Sequence, residues 1–287
     1  MLHFIVFILL SSISTQLVDG LVCATACEYS SNLEHIAPPT CTTIDKPASE
    51  QSCQVLLNID YITGAVTGQF NPATPPKPTN FDALTAFSLY NESVTLTIEF
   101  HCSTPDECDL LFAKNVLNSD WTKVRTLVKV LRSELADSLF NSTDLRPGET
   151  CPSMQPCSGE GFCQTVFEYW SDAVRPALSS TCANSTAQPV VTWIQALDQA
   201  RIGEILLYTC NNPECASQMS VLSIVQVVSQ NYTLPFNVPI SITTTTTATT
   251  TTTASTMSTT STTTPSAASS AFLSITSWII LQKNQHK

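Results

Sequence analysis

Cys53-Gln54-Val55-Leu56-Leu57-Asn58-Ile59-Asp60-Tyr61 and, further along, Cys163-Gln164-Thr165-Val166-Phe167-Glu168-Tyr169-Trp170 open in the same way. A cysteine and a glutamine lead each stretch into a run rich in β-branched and aromatic residues, the composition that strands favour. The twelve cysteines divide around this correspondence into Cys23, Cys27, Cys41, Cys53, Cys102 and Cys108, then Cys151, Cys157, Cys163, Cys182, Cys210 and Cys215. Cys41 to Cys53 and Cys151 to Cys163 are each a step of 12, while Cys53 to Cys102 spans 49 and Cys163 to Cys210 spans 47. Cys102 to Cys108 is 6 and Cys210 to Cys215 is 5. One displacement, 110 residues from Cys53 to Cys163 (163 − 53), brings these spacings into line, as an internal repeat requires.

The flanks agree. Strand-like runs, Val94 to Phe100 and Ile205 to Tyr208, end just before Cys102 and Cys210, and the two short turns that follow share a proline followed by an acidic residue. Helical periodicity follows Cys108 and Cys215. The expected fold is α+β: two duplicated disulfide-rich modules of antiparallel strands with a following helix, at 21–140 and 150–238. The linker 141–149 contains the turn signal Pro147-Gly148. In modules this small, a bridge worth about 2–4 kcal/mol is a large share of net stability. The short-loop pairs Cys102 with Cys108 and Cys210 with Cys215 are expected to close locally, and Cys157 with Cys182 is the simplest further pair, leaving Cys23 and Cys27 for the first module. Spacing leaves the connectivity of the shared cysteines open.

The clearest helix is Ser119 to Phe140, with Ser119 as its cap, Asp120 in its first turn, and Trp121, Val124, Val128, Leu131, Leu135 and Leu139 forming an apolar stripe. Arg125, Lys129 and Arg132 make a basic row beside that stripe. It reads as a solvated flank or as a contact for an acidic partner or glycan.

Acidic residues outnumber basic ones 23 to 12, for a net charge of −11, and that balance excludes a nucleic-acid binder. Twelve cysteines in a chain with secretory features indicate an oxidising compartment, so the protein is expected to be extracellular. Residues 1–20 have the layout of a signal peptide. Cleavage after Gly20 keeps the cysteine number even, whereas cleavage after Ala26 would remove Cys23. Residues 239–266 are a Thr/Ser-rich, low-complexity stalk with no apolar face to bury, expected to be disordered and O-glycosylated.

Residues 267–287 carry a hydrophobic run too short for a span of about 20 residues, the pattern of a glycolipid (GPI) anchor signal with Ser261 or Ser266 as the attachment residue. A poor membrane span and free secretion are the alternatives. Asn91, Asn141, Asn184 and Asn231 head N-glycosylation sequons.

Few residues of the chain could carry catalysis or bind a metal. Of the four histidines only His35 and His101 lie between signal and tail as candidate bases. Neither a nucleophile elbow nor a zinc helix occurs, and Gly159-Glu160-Gly161 lacks the third glycine of a dinucleotide loop. His101, Cys102 and Cys108 sketch a zinc corner, but disulfides compete for those sulfurs. Asp106, Glu107 and Asp109 sketch a calcium site, better read as an acidic surface turn. The expectation is no catalytic residue, no metal and no cofactor.

The closing loop Cys210-Asn211-Asn212-Pro213-Glu214-Cys215 resembles the final bridge of the three-finger surface proteins, the family of the urokinase receptor and lymphocyte antigens. Ala216 stands where that family has asparagine. The resemblance implies repeated disulfide modules, a glycolipid anchor and ligand binding without catalysis. The reading is therefore an extracellular, surface-anchored glycoprotein that acts as a non-catalytic binding or adhesion module. Its partner would be an extracellular protein or glycan, and the membrane would be reached through the C-terminal anchor. The alternatives are a secreted structural coat or matrix glycoprotein and, third, a secreted hydrolase.

Overall fold

A computed structural model describes residues 21–25, 27–46, 52–73, 79–140, 151, 162–183, 189–198, 201–212 and 214–238. The expected signal peptide, linker, stalk and anchor segment, with Cys157, Asn141, Asn184, Ser261 and Ser266, lie outside these residues.

The first part of the chain forms β1 (Leu21–Thr25), β2 (Cys27–Asn32), β3 (Thr42–Lys46), β4 (Ser52–Asp60), β5 (Ala65–Ala73), β6 (Asn80–Ser88), β7 (Val94–Cys102), α1 (Cys108–Leu117) and α2 (Thr122–Leu139). The second part forms β8 (Cys163–Trp170), β9 (Ala177–Cys182), β10 (Val190–Asp198), β11 (Arg201–Cys210) and α3 (Gln218–Asn231). The protein is thus mixed, with antiparallel strands, three described helices and several disulfides.

Alternation builds the strands. In β4, Val55, Leu57 and Ile59 are buried while Gln54, Leu56 and Asn58 point the other way, and in β6 Phe81, Ala83, Thr85 and Phe87 are buried against Asp82, Leu84 and Ala86. The turn between β4 and β5 needs a left-handed residue, which Gly64 supplies at φ +75°. Asp60 holds that turn by accepting bonds from the amides of Ile62 and Thr63.

Nine strands form one sheet in the order β2-β5-β4-β7-β6-β10-β11-β8-β9, and β1 pairs with β3 as a separate ribbon. Within the sheet, β5-β4-β7-β6 is followed by β10-β11-β8-β9, the second set running in reverse. Cys53 sits opposite Cys102 across β4 and β7, and Cys163 sits opposite Cys210 across β8 and β11. The residue before each closing cysteine, Glu107 and Glu214, adopts the left-handed conformation, with φ 55° and 59°. The two halves join where β6 and β10 pair antiparallel from Asn80↔Asp198 to Ser88↔Val190, and one hydrophobic core runs under both.

The helices cover one face. Phe112 of α1 stacks on Phe100 of β7 with centroids 4.1 Å apart, and Trp121 and Phe236 pack beside it. Tyr232, just after α3, reaches Thr85 and Phe87 on the same face of β6. The end of α2 is completed from the second half, where the Asn211 amide donates to Leu139 O at 3.0 Å. The Asn212 side chain donates to the carbonyls of Asp137 and Ser138.

Cys23 does not pair with Cys27, because the bridges are Cys23–Cys53 and Cys27–Cys41. Four residues of extended chain span about 13 Å, well beyond disulfide reach, so cysteines so spaced on successive strands must find partners elsewhere. The equal 12-residue steps also differ in kind: Cys151 bonds Cys163, whereas Cys41 does not bond Cys53. Cys102–Cys108 and Cys210–Cys215 do close their short loops. Cys182 is disulfide-bonded, and its expected partner Cys157 lies outside the described residues.

The long helix begins at Thr122, not Ser119. Ser119 donates to Asn115 O at the end of α1, and it is Asp120 that accepts the Thr122 amide at 3.0 Å. The Trp121 indole turns inward to donate to Val116 O, so the break between helices is set by burial of that ring.

Candidate functional site

The parity of the strands gives the sheet two unlike faces. Core-facing positions meet α1, α2 and α3, and no described helix packs on the opposite face. On that outer face Leu84, Ile194 and Ile205 lie in one cross-strand row, and Ala86, Leu207 and Val166 fall in the next, split by Thr192. All are half-buried, as expected for apolar side chains shielded by their neighbours along the sheet alone. Towards β2 the same face turns polar through Asp82, Glu99, Gln69 and Glu28. At its other end the Trp170 indole lies over Gly203, where a Cβ would sit 2.6 Å from the ring, and Arg201 covers Trp170 at 4.9 Å.

The core face holds a polar row that sequence reading missed. Gln195 and Glu204 are directly opposed on β10 and β11, and both are buried. Burial pushes the Glu204 carboxyl up to about 8, so it carries its proton through most of the neutral range. Glu204 Oε2, Gln195 Oε1 and the neighbouring Trp193 Nε1 make no hydrogen bond among the described residues. The signal was available in parity: Glu204 shares alternation with Leu206, Tyr208 and Cys210, the inward positions of β11.

Nearby, Tyr61, Tyr232 and Thr85 form a buried hydroxyl chain, with Tyr61 Oη to Tyr232 Oη at 2.8 Å and Thr85 Oγ1 to Tyr232 Oη at 2.6 Å. Burial raises both phenols, Tyr232 to about 12.

The residues singled out from sequence have these positions. Arg125 donates to the carbonyls of Tyr61 and Ile62 and approaches Glu34 at 3.4 Å, and Arg132 donates to Ser88 O at 2.7 Å and Leu89 O at 2.9 Å. Both guanidiniums therefore clamp α2 onto the turns of the sheet, while Lys129 between them is exposed. Asn91 and Asn231 are exposed, at the β6–β7 turn and the end of α3.

His35 is exposed, but His101 is completely buried with its Nε2 2.6 Å from Glu99, which also accepts from Gln54. Cys102 and Cys108 bond each other, so the zinc corner has no thiolates to offer. The acidic turn is not all surface: Asp106 accepts the Val22 amide, and the fully buried Asp109 accepts the Ala24 amide at 3.0 Å. These acids anchor β1. No described helix is long and apolar enough to cross a membrane.

Compared with protein-family models, curated proteins and solved structures, the chain matches none.

Proposed function

We propose that the protein is an extracellular, surface-anchored glycoprotein acting as a non-catalytic binding or adhesion module, built from two copies of one disulfide-closed unit. The observation that carries the binding reading is the outer face of the sheet, a broad surface in which the half-exposed Leu84, Ile194 and Ile205 have no described element above them. Apolar sheet surface of this kind, rimmed by Asp82, Glu99 and Glu28, suits recognition of another molecule.

Supporting an extracellular site, no described cysteine is free, and each fully described bridge stays within its own group of six. Supporting duplication, the registers Cys53↔Cys102 and Cys163↔Cys210 correspond at displacements of 110 (163 − 53) and 108 (210 − 102). The reversed strand order and the left-handed Glu107 and Glu214 agree with it.

The test is adhesion by animal cells expressing the full chain, with wild type set against I194K and I205K at matched surface levels. Binding that survives both charges would overturn the reading. Release of the protein from those cells by phosphatidylinositol-specific phospholipase C tests the anchor separately, since a spanning or freely secreted form would not respond.

A further inference from the structure

Two disulfides meet beneath β1. Cys23–Cys53 ties β1 to β4, and Cys102–Cys108 ties β7 to α1. The sulfurs of Cys53, Cys102 and Cys108 all lie within 4.8 Å of one another. Cys53 and Cys102 are also directly opposed across the β4–β7 ladder. Opposed antiparallel residues have Cα atoms about 4.5–5.5 Å apart, inside the range a disulfide tolerates, so these two could bond without moving either strand.

Access comes from the side of α1. A cavity of about 270 Å³ has both Cys102 and Cys108 in its wall, with Phe100, Phe112 and Leu111 as apolar lining and Asn115 among its polar groups. Cys108 is 5% exposed and Cys102 1%, so Cys108 is the more exposed residue of the pair.

We propose that this cavity is a thiol-exchange site, at which a small thiol shifts the disulfides of the first half and unfastens β1. The thiolate attacks Cys108 Sγ, forming a mixed disulfide there and expelling Cys102 as thiolate. Cys102 Sγ then attacks Cys53 Sγ, forming the cross-strand bridge and expelling Cys23, which takes up the proton the entering thiol gave up. Two disulfides and one thiol enter, and two disulfides and one thiol leave, so no external oxidant or reductant is consumed. After exchange, β1 keeps its pairing with β3, its amide bonds to Asp106 and Asp109 and its backbone link to β2, but loses its disulfide tie to β4. The second half provides an internal control: Cys163 and Cys210 share the register, but no such sulfur triple occurs there among the described residues.

The experiment treats the full-length protein with isotope-labelled 2-mercaptoethylamine at mildly alkaline pH, caps free thiols with iodoacetamide and maps peptides without reduction. The expected result is label on Cys108, a Cys53–Cys102 cross-link and a capped Cys23, with Cys27–Cys41 and Cys210–Cys215 intact. Absence of labelling, label spread over all bridges, or label on Cys108 with Cys23–Cys53 unbroken would each overturn the proposal. Two variants check the route. L111W alters an exposed residue and narrows the cavity, and should lose most of the label. C23S/C53S removes the second acceptor, and should leave label on Cys108 and the cap on Cys102; a Cys102 that stays uncapped in this variant would also sink the exchange order.

Discussion

Tyr61 and Tyr232 are 171 residues apart in the chain, yet their hydroxyl oxygens lie 2.8 Å apart in the core. Tyr61 follows β4, Tyr232 follows α3, and the second oxygen is held also by Thr85 on β6, the strand that joins the halves. The chain end of α3 is therefore tied to the sheet by a polar contact inside an apolar core, where each lost partner leaves a desolvated hydroxyl.

Tyr232→Phe should accordingly lower unfolding free energy by about 1–3 kcal/mol, since two buried hydroxyls lose a partner at once. The check is a shift of the urea midpoint at unchanged slope. Because both phenols are raised in the fold, their protonated forms are favoured there. The Tyr232 contribution is intact below the unfolded value near 10 and is lost as pH rises through about 12, and the raised Tyr61 phenol acts in the same direction. That alkaline loss should be smaller in the variant.

Glu204 acts in the acid to neutral range with the same sign. Its folded value of about 8 lies above the unfolded 4.5, so the folded state binds more protons between them and stability falls as pH rises through that window. Glu204→Gln should abolish the slope and exceed wild type at pH 8 by an amount on the order of a few kcal/mol. Urea titrations at three pH values across the window measure it, and parallel curves for the two proteins would contradict it.

Arg132 grips two carbonyls of the β6–β7 turn with separate nitrogens. Arg132→Ala should cost about 1–3 kcal/mol, and Arg132→Lys should recover little of that, because an ammonium lacks the planar fork. Thermal unfolding of the three proteins side by side gives the comparison.

Gly203→Ala should push the Trp170 ring off the sheet, since the added Cβ would meet the indole at 2.6 Å. The near-ultraviolet circular dichroism and the tryptophan emission should change while the far-ultraviolet spectrum stays fixed. An unaltered emission spectrum would show that the ring yields without leaving its place.

Much of the scaffold was legible in local pattern. Val55, Leu57 and Ile59 alternate on β4, and Val124, Val128 and Leu131 recur at helical spacing on α2, because side-chain periodicity alone sets which face is apolar. The local closures Cys102–Cys108 and Cys210–Cys215 were legible too, because short loops keep their ends near. The candidate site was less so. Ile194 and Ile205 read as ordinary strand residues, and whether the face they share is covered depends on where the helices come to rest.

What the sequence by itself determined was local: strand and helix periodicity, the two groups of six cysteines and their short closing loops, and the placement of Glu204 on the same parity as Leu206 and Tyr208. Only the tertiary structure decided that β6 and β10 pair, that Cys23 finds Cys53 in place of Cys27, and that Arg125 and Arg132 spend their charges on turn carbonyls. The physical reason is range. Periodicity and loop closure act within a few residues, whereas strand edges and half-buried side chains are matched by burial and hydrogen bonding between segments that chain order leaves far apart.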